Sequence, residues 1–361
     1  MITYEFKIKT NNHLKDVIEN HLGCTRLVYN LALEVREDSY KKGVSLSKFD
    51  LIKQLPELKQ EFTWLRNVHS QTFQRVIERL QSGYDKFFRD LKQGKKTSKP
   101  KWARKKEWNS IEWKKSAVKY EGGSEINISK IGKVRFFKSR DIKGEIKLAR
   151  IIKRADGYYL QVVTDNEYTR CENQAVCGID LGITHFVVTS DGEYFENART
   201  LKKYLKELRI ENRSLNRKKK FSSNFYKQVE RLKKLHLKIS RIRKDYLHKT
   251  STKLAQEYST IVCEDLNIQE MIKERGYSRE ISDVAWGSFL EMLNYKTNLV
   301  LVNPKYTSQE CNNCGHTCKE NRKTQEKFNC VKCGHSGNAD YEASLTILKR
   351  GQTLLHANVS H

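Results

Sequence analysis

Four cysteines near the end of the chain, Cys311, Cys314, Cys330 and Cys333, follow the spacing C-x2-C-x15-C-x2-C. Two C-x-x-C knuckles at that separation can present four thiolates tetrahedrally to one Zn²⁺, and each pair closes on Cys-Gly-His, where glycine permits a tight knuckle turn. Cys318 and His316 compete as ligands, although a fifth is not needed. A structural zinc of this kind contributes of order 10 kcal/mol to folding, so its first expected role is to hold a ribbon together. Three carboxylates carry different chemistry. Asp180 ends an apolar run at 176–179, Glu264 ends another at 261–263, and Asp340 opens an apolar-periodic segment after six residues that follow Cys333. A carboxylate at the end of a buried strand needs a cation or a hydrogen-bond network to stay charged. A turn acid is the plain alternative for Asp180, and a partner for a helix dipole is the plain alternative for Asp340. Phosphodiester hydrolysis by two divalent ions about 4 Å apart requires several carboxylates converging from distant segments, and hard oxygen ligands select Mg²⁺ or Mn²⁺.

Composition narrows the partner. Lys+Arg 69 against Asp+Glu 43 in 361 residues gives a formal charge of +26, which repels itself in a compact fold unless a polyanion neutralises it. Nucleic acid is the expected polyanion. The sequence opens without a basic stretch followed by an apolar one, its remaining cysteines are scattered as in a reduced compartment, and its apolar runs are too short for a bilayer. An intracellular, cytoplasmic and nucleoid-associated protein without a membrane partner is expected.

The elements that would position these groups follow from periodicity. Ile2, Tyr4, Phe6 and Ile8 alternate with polar residues as in a half-buried strand. From Asn12 the apolar spacing turns helical, and 69–92 repeats it. Residues 92–119 read as a basic, aromatic connector in which Trp102, Trp108 and Trp113 are expected to pack under a sheet rather than stack on bases. Short strands return between 125 and 165 with Gly132, Gly144 and Gly157 as turns, and a small β-barrel that includes the first strand accommodates them. A second unit starts near Gln174 with strands at 175–180 and 185–190. A helical hairpin broken at 218–224 follows, in which basic residues outnumber acidic ones about four to one. Strand 260–264, helix 284–296 and strand 299–302 complete an α/β sheet, and 270–283, with Gly276, reads as a loop able to cover the acids.

At this point the chain resembles a known family, the transposon-associated TnpB proteins, RNA-guided DNA nucleases related to the type V CRISPR effectors. The resemblance rests on Gly23–Asn30, Gly178–Ile183, Arg243–Lys249, Glu264–Asn267, Tyr306–Cys311 and the ribbon into Ala339-Asp340. It implies a mixed α/β and α+β multidomain architecture. A wedge β-barrel would occupy 1–11 and 120–172, with a helical recognition lobe inserted at 12–119. A ribonuclease H-like, RuvC-like nuclease domain would occupy 173–303 and 337–361, with a zinc ribbon inserted at 304–336. It implies Asp180, Glu264 and Asp340 as the catalytic, Mg²⁺-holding acids and zinc on Cys311, Cys314, Cys330 and Cys333.

The partners implied are a guide RNA from the transposon end and target double-stranded DNA, cut beside a short adjacent motif; the oligomeric state is left open by the sequence, with a monomeric ribonucleoprotein favoured because no sustained heptad seam is present. Binding without cutting, as an RNA-guided repressor, is the alternative. Ser70–Arg75 is similar to the family's motif-reading helix, so Gln71, Gln74 and Arg75 are candidate base contacts, since Gln pairs with adenine and Arg with guanine bidentately. Lys101, Arg104, Arg217, Lys218 and Arg243 are the further nucleic-acid-binding candidates. Two positions depart from the family pattern. Glu342 stands where asparagine is usual, as a possible ligand or a solvated charge, and Tyr295-Lys296 runs almost directly into Leu299, so the last strand must be entered by a tight turn at Thr297-Asn298.

Overall fold

The computed structural model describes residues 1–273, 278–324 and 326–359, with side-chain surroundings as far as 357. They divide into two compact units, Met1–Glu167 and Tyr168–His361.

The first unit begins with β1 (Ile2–Lys7), whose alternation buries Tyr4 and Phe6, and continues into α1 (Asn12–Lys41). The Asn11 side chain caps α1 by accepting from the Leu14 N–H at 2.8 Å. Next come α2 (Lys48–Lys53), opened by a Ser47/Asp50 capping box, α3 (Leu55–Glu61) and α4 (Ser70–Lys92). Then follow β2 (Ser110–Lys114), β3 (Val118–Lys119), β4 (Glu125–Ile128), β5 (Gly132–Arg135), β6 (Ile146–Arg154) and β7 (Gly157–Thr164). They form two sheets, ordered β1-β7-β6-β2 and β3-β4-β5, and an isolated bridge from Ile8 to Phe136 joins them. The strand region starts earlier than a boundary at 120 would have it. Ile111 and Trp113 alternate inward, which makes 110–114 a strand paired with β6 rather than part of a connector.

The second unit opens with β8 (Val176–Asp180), β9 (His185–Thr189) and β10 (Tyr194–Glu196). The helical hairpin is α5 (Thr200–Asn216) and α6 (Ser223–Glu257), the latter capped by Ser222. After β11 (Thr260–Glu264) come α7 (Ile268–Lys273) and α8 (Ser278–Val284), two short helices where a loop was expected; Gly276 lies outside the described residues. The chain ends with α9 (Trp286–Lys296), β12 (Asn298–Val302), β13 (Lys327–Asn329), β14 (Ser336–Asn338) and α10 (Ala339–Val359).

The five-stranded sheet is ordered β10-β9-β8-β11-β12, with β8, β11 and β12 parallel and β9 antiparallel to both of its neighbours, β8 and β10. The short entry to β12 is a sharp turn: Thr297 is extended, its hydroxyl donates to the Ser259 carbonyl at 2.7 Å, and pairing begins at once with Asn298 opposite Thr260. Helix α10 lies directly on this sheet. A Cβ on Gly178 would stand 2.3 Å from the Ser344 carbonyl oxygen, and one on Gly351 would meet Val262 at the same distance, so glycine at both points permits the close approach.

Candidate active site and zinc ribbon

The acids come together because of strand register and one helix start. Asp180 and Glu264 close neighbouring parallel strands, one step beyond the pair Ile179–Cys263. Strand β8 stops there because Gly182 turns so tightly that a Cβ would stand 2.6 Å from the His185 carbonyl oxygen. Asp340 enters from the ribbon, whose last strand passes without a break into α10. Asn338 caps this helix, its Oδ1 accepting from the N–H groups of Asp340 and Tyr341 at 3.0 and 3.1 Å. The helix start is thus satisfied without the Asp340 carboxylate, which instead accepts from Arg322 at 3.0 Å.

Electrostatics mark this cluster as short of positive charge. Burial, then the Glu264 and Asp340 carboxylates, push Asp180 up to about 8, against a smaller opposing pull from Arg322. Burial also raises Glu264, although the Thr307 hydroxyl donates to it and Arg350 and Arg322 act in the opposite direction. Sequence reasoning did not find Thr307 or Arg322. Both lie in the ribbon segment, far in sequence from the strand acids they serve.

The four cysteines do converge. Among the described residues they form a group whose four ligand atoms all lie within 4.8 Å of one another. Cys311 and Cys333 sulfurs are 3.7 Å apart, and those of Cys314 and Cys330 are 3.6 Å apart. A tetrahedron with Zn–S bonds of about 2.3 Å has edges of about 3.8 Å, so the donor set fits zinc. The knuckles are twins. The N–H groups of Cys311 and Cys330 donate to the carbonyls of His316 and His335, and Gly315 and Gly334 take φ of +69° and +75°. The backbone N–H of His335 helps pull Cys333 down to about 6, while burial pushes Cys311 up to about 12. Cys318 stands outside the tetrad, 2.5 Å from Glu320.

Glu342 is neither solvated nor turned toward the acids. It is buried, and it accepts from Asn312 at 2.9 Å and contacts His335 Nε2 at 2.9 Å, one residue from each knuckle. Asn312 also donates to the Glu342 carbonyl at 2.7 Å and accepts from Thr346 at 3.0 Å. This is a latch between the ribbon and α10. No pattern of spacing announces it, because its members are brought together only by the knuckles' turns.

Three family models match parts of the chain: a probable transposase family, OrfB_IS605, over 159–275, the Cas12f1-like TNB domain over 286–347, and a helix-turn-helix domain over 1–44. A putative RNA-guided DNA endonuclease of Streptomyces pristinaespiralis is 30% identical over 344 residues, covering 91% of this chain and 84% of its own. The chain belongs to the TnpB family. The putative RNA-guided DNA endonuclease InsQ of Escherichia coli (strain K12) is 29% identical, with 98% of this chain and 92% of that one covered. A Cas12f1 solved with sgRNA and target DNA covers 96% of this chain at 15% identity and a TM-score of 0.35. Residues 1–44, matched as helix-turn-helix, here contain a strand and the whole of one unbroken helix, α1.

The candidate nucleic-acid residues of this TnpB-family chain fall into two groups. Lys101, Arg104, Arg217 and Lys218 are exposed, and no carboxylate pairs with them among the described residues. Gln74 is also without a side-chain partner among them, while Gln71 accepts from Ser116 at 2.7 Å. Two of the arginines are engaged instead. Arg75 pairs with Glu112 at 2.8 Å and Glu78 at 2.5 Å, and half-burial on α4 against β2 explains why its fork is needed there. Arg243 pairs with Asp283 at 2.6 Å, and Asp283 accepts in turn from the Leu201 N–H at the start of α5. Arg75 is committed to these carboxylates through Nε, Nη1 and Nη2, and Arg243 through Nη2. No described helix is long and apolar enough to cross a membrane.

Proposed function

We propose that this chain is an RNA-guided DNA endonuclease in which Asp180, Glu264 and Asp340 hold divalent metal at a ribonuclease H-like sheet. The observation that carries the reading is the register that ends Asp180 and Glu264 on neighbouring parallel strands, with Asp340 at the start of α10 close enough to act on Asp180, so that burial and two other carboxylates raise it to about 8 and call for bound cations. Mg²⁺ or Mn²⁺ suits an all-carboxylate donor set. Bound there, the ions would lower the pKa of a water and stabilise the leaving oxygen. The protein's own part is to fix the three carboxylates on rigid elements, to aim Glu264 through Thr307, and to place the Arg322 guanidinium beside Asp340 where phosphate charge develops. Zinc on the cysteine tetrad holds the ribbon that delivers Asp340.

The mixed five-stranded sheet with α10 across it supports the RuvC-like assignment, and the two bridged sheets of the first unit support the wedge barrel. With charge +26, the chain is read as binding a guide RNA and target duplex DNA, acting as a monomeric ribonucleoprotein in the cytoplasm. Base pairing would select the target while the protein reads a short adjacent motif, with Gln71 and Gln74 on α4 as the reading residues. To test this, the protein is purified with its RNA, that RNA is sequenced, and a matching DNA is offered with Mg²⁺ to the wild type and to Asp180→Ala. Guided cleavage by the wild type alone is expected. Equal cleavage by both would refute the site. A second reading, guided binding without cutting, draws on the Arg322–Asp340 ion pair, and it predicts no cleavage by either protein.

A further inference from the structure

Residues 93–109, between α4 and β2, form no regular helix or strand, yet much of this stretch is tied down. Asn30, buried on α1, binds both backbone groups of Ala103: its Oδ1 accepts from the N–H at 2.8 Å and its Nδ2 donates to the carbonyl at 3.2 Å. Pro100 lies so close to α4 that a Cβ on Gly83 would stand 3.1 Å from its ring. Lys99 pairs with Glu37 at 2.9 Å, and the N–H groups of Glu107 and Trp108 both donate to the Arg104 carbonyl at 3.0 Å.

The tryptophans of this region part company. Trp108 and Trp113 are buried as expected, with the Trp108 indole N–H donating to Thr25 at 2.9 Å. Trp102, in the middle of the pinned stretch, is 54% exposed. It lines an open groove of about 600 Å³ with Leu33, Pro100, Lys101 and Arg104. Of the two acids on that groove, Glu37 is already paired with Lys99, which leaves Glu107 against two unpaired cations.

A large indole left in water forgoes the stabilisation that burial gives its neighbours. Because the backbone on either side of it is fixed, the exposed face is preorganised for a ligand. Flat apolar area beside exposed cations suits a base with its phosphates. A duplex keeps its bases stacked internally, so the base must be unpaired.

We propose that Trp102 is a stacking platform for one unpaired base of a single-stranded nucleic acid, with Lys101 and Arg104 holding the flanking phosphates. The proposal rests on the nuclease reading for the source of the strand, either an unpaired stretch of guide RNA or a displaced DNA strand. The test uses the full-length, zinc-loaded protein after a high-salt wash. Fluorescence anisotropy reads its affinity for labelled oligouridylate, for oligothymidylate of equal length and for a blunt duplex, each over a range of salt concentrations. Trp102→Ala is expected to weaken single-strand binding about tenfold, with the salt slope and duplex binding unchanged, and Trp102→Phe to restore most of the loss. Lys101→Ala should instead lower the salt slope by about one. Trp64→Ala, which removes another exposed indole outside the groove, should change nothing. A larger loss on oligouridylate identifies RNA as the source, and a larger loss on oligothymidylate identifies DNA.

Unchanged single-strand affinity in Trp102→Ala overturns the platform, and so does an equal loss on duplex. If the wild type cuts guided DNA while Trp102→Ala binds normally, this inference alone fails. If the wild type binds no nucleic acid, the nuclease reading falls with it.

Discussion

The zinc ribbon and the carboxylate cluster are built on opposite principles. The tetrad is local. Twin knuckles with the same hydrogen bonds and the same left-handed glycines bring four sulfurs together within 23 residues, Cys311 to Cys333. The carboxylates come from two strands and a helix, and two of them are held by groups from the ribbon segment, Thr307 and Arg322. A site whose ligands are local can be completed by its metal alone. A site whose ligands repel one another must be imposed by the surrounding fold, and here it is imposed through the ribbon.

The sharpest way to break that comparison is Asp180→Asn. Cleavage should fall on the order of 10³-fold or more, because a charge that meets the reacting groups is gone. Stability should move the other way. In the folded chain Asp180 sits at about 8, against an ordinary value of 3.8, so the metal-free wild type loses stability through this group as pH rises from about 4 to 8, and the loss is complete above 8. Asp180→Asn should therefore melt about 5 °C higher than wild type without Mg²⁺ at pH 8, and the gap should close near pH 4. Calorimetry across that range checks it. A variant that melts lower at pH 8 would show that Asp180 is already satisfied without metal.

Zinc removal probes the other side. Chelation, or Cys314→Ser, should unfold the ribbon, leave the cooperative melting of the remaining core in place, and reduce cleavage about 10²-fold by misplacing Asp340. Hydrogen exchange at β13 and β14, read beside the cleavage rate, separates the two effects. Retained cleavage with an exchanged ribbon would mean that α10 holds Asp340 by its packing on Gly178 and, through its own Gly351, on Val262 alone.

This division also governs what could be read from the sequence. The cysteine spacing carried the tetrad, and apolar runs carried β8, β11 and the α5–α6 hairpin nearly to their ends, because those signals lie within a few residues. The three acids were legible as strand ends and a helix start. Their supports were not. Thr307, Arg322 and the latch at Glu342 depend on which way a ribbon folds back, and nothing local distinguishes a buried Glu342 from a solvated one. Arg75 and Arg243 show the same limit: apart from Glu78, one turn along α4 from Arg75, their carboxylate partners Glu112 and Asp283 are roughly 40 residues away in sequence. Trp102 failed in the other direction: a tryptophan is ordinarily well buried, while its exposure here follows from how the basic stretch around it is pinned.

A milder break is Glu342→Ala, which removes the side-chain contacts to Asn312 and His335 while leaving the tetrad and the acids intact. Cleavage should drop about tenfold, with zinc content unchanged, and Glu342→Gln should recover much of it. Equal zinc retention with full activity in the alanine variant would show that the Asn312 bonds to the Glu342 carbonyl and to Thr346 suffice.

An effect on stability alone, with no change in cleavage, gives the cleanest control, because the same unit buries a charge of opposite sign that needs no metal. Lys296, 2% exposed at the turn into β12, donates to Ser251 at 2.7 Å, Thr252 at 2.8 Å and the His248 carbonyl at 3.2 Å, and burial pulls it down to about 8 from 10.5. Its penalty is complete below pH 8 and vanishes as pH rises to about 10.5, the reverse of the trend for Asp180. Relative to Lys296→Met, the wild type should therefore gain up to about 3 kcal/mol between pH 8 and 10.5, less whatever its three hydrogen bonds return in both states. Urea unfolding at fixed pH values checks this. Adding Mg²⁺ should flatten the difference between wild type and Asp180→Asn and leave the Lys296 difference untouched. If Mg²⁺ altered both alike, the ion would be acting on the whole charged surface instead of on the carboxylates, and the contrast between a metal-completed cluster and an internally satisfied charge would fall.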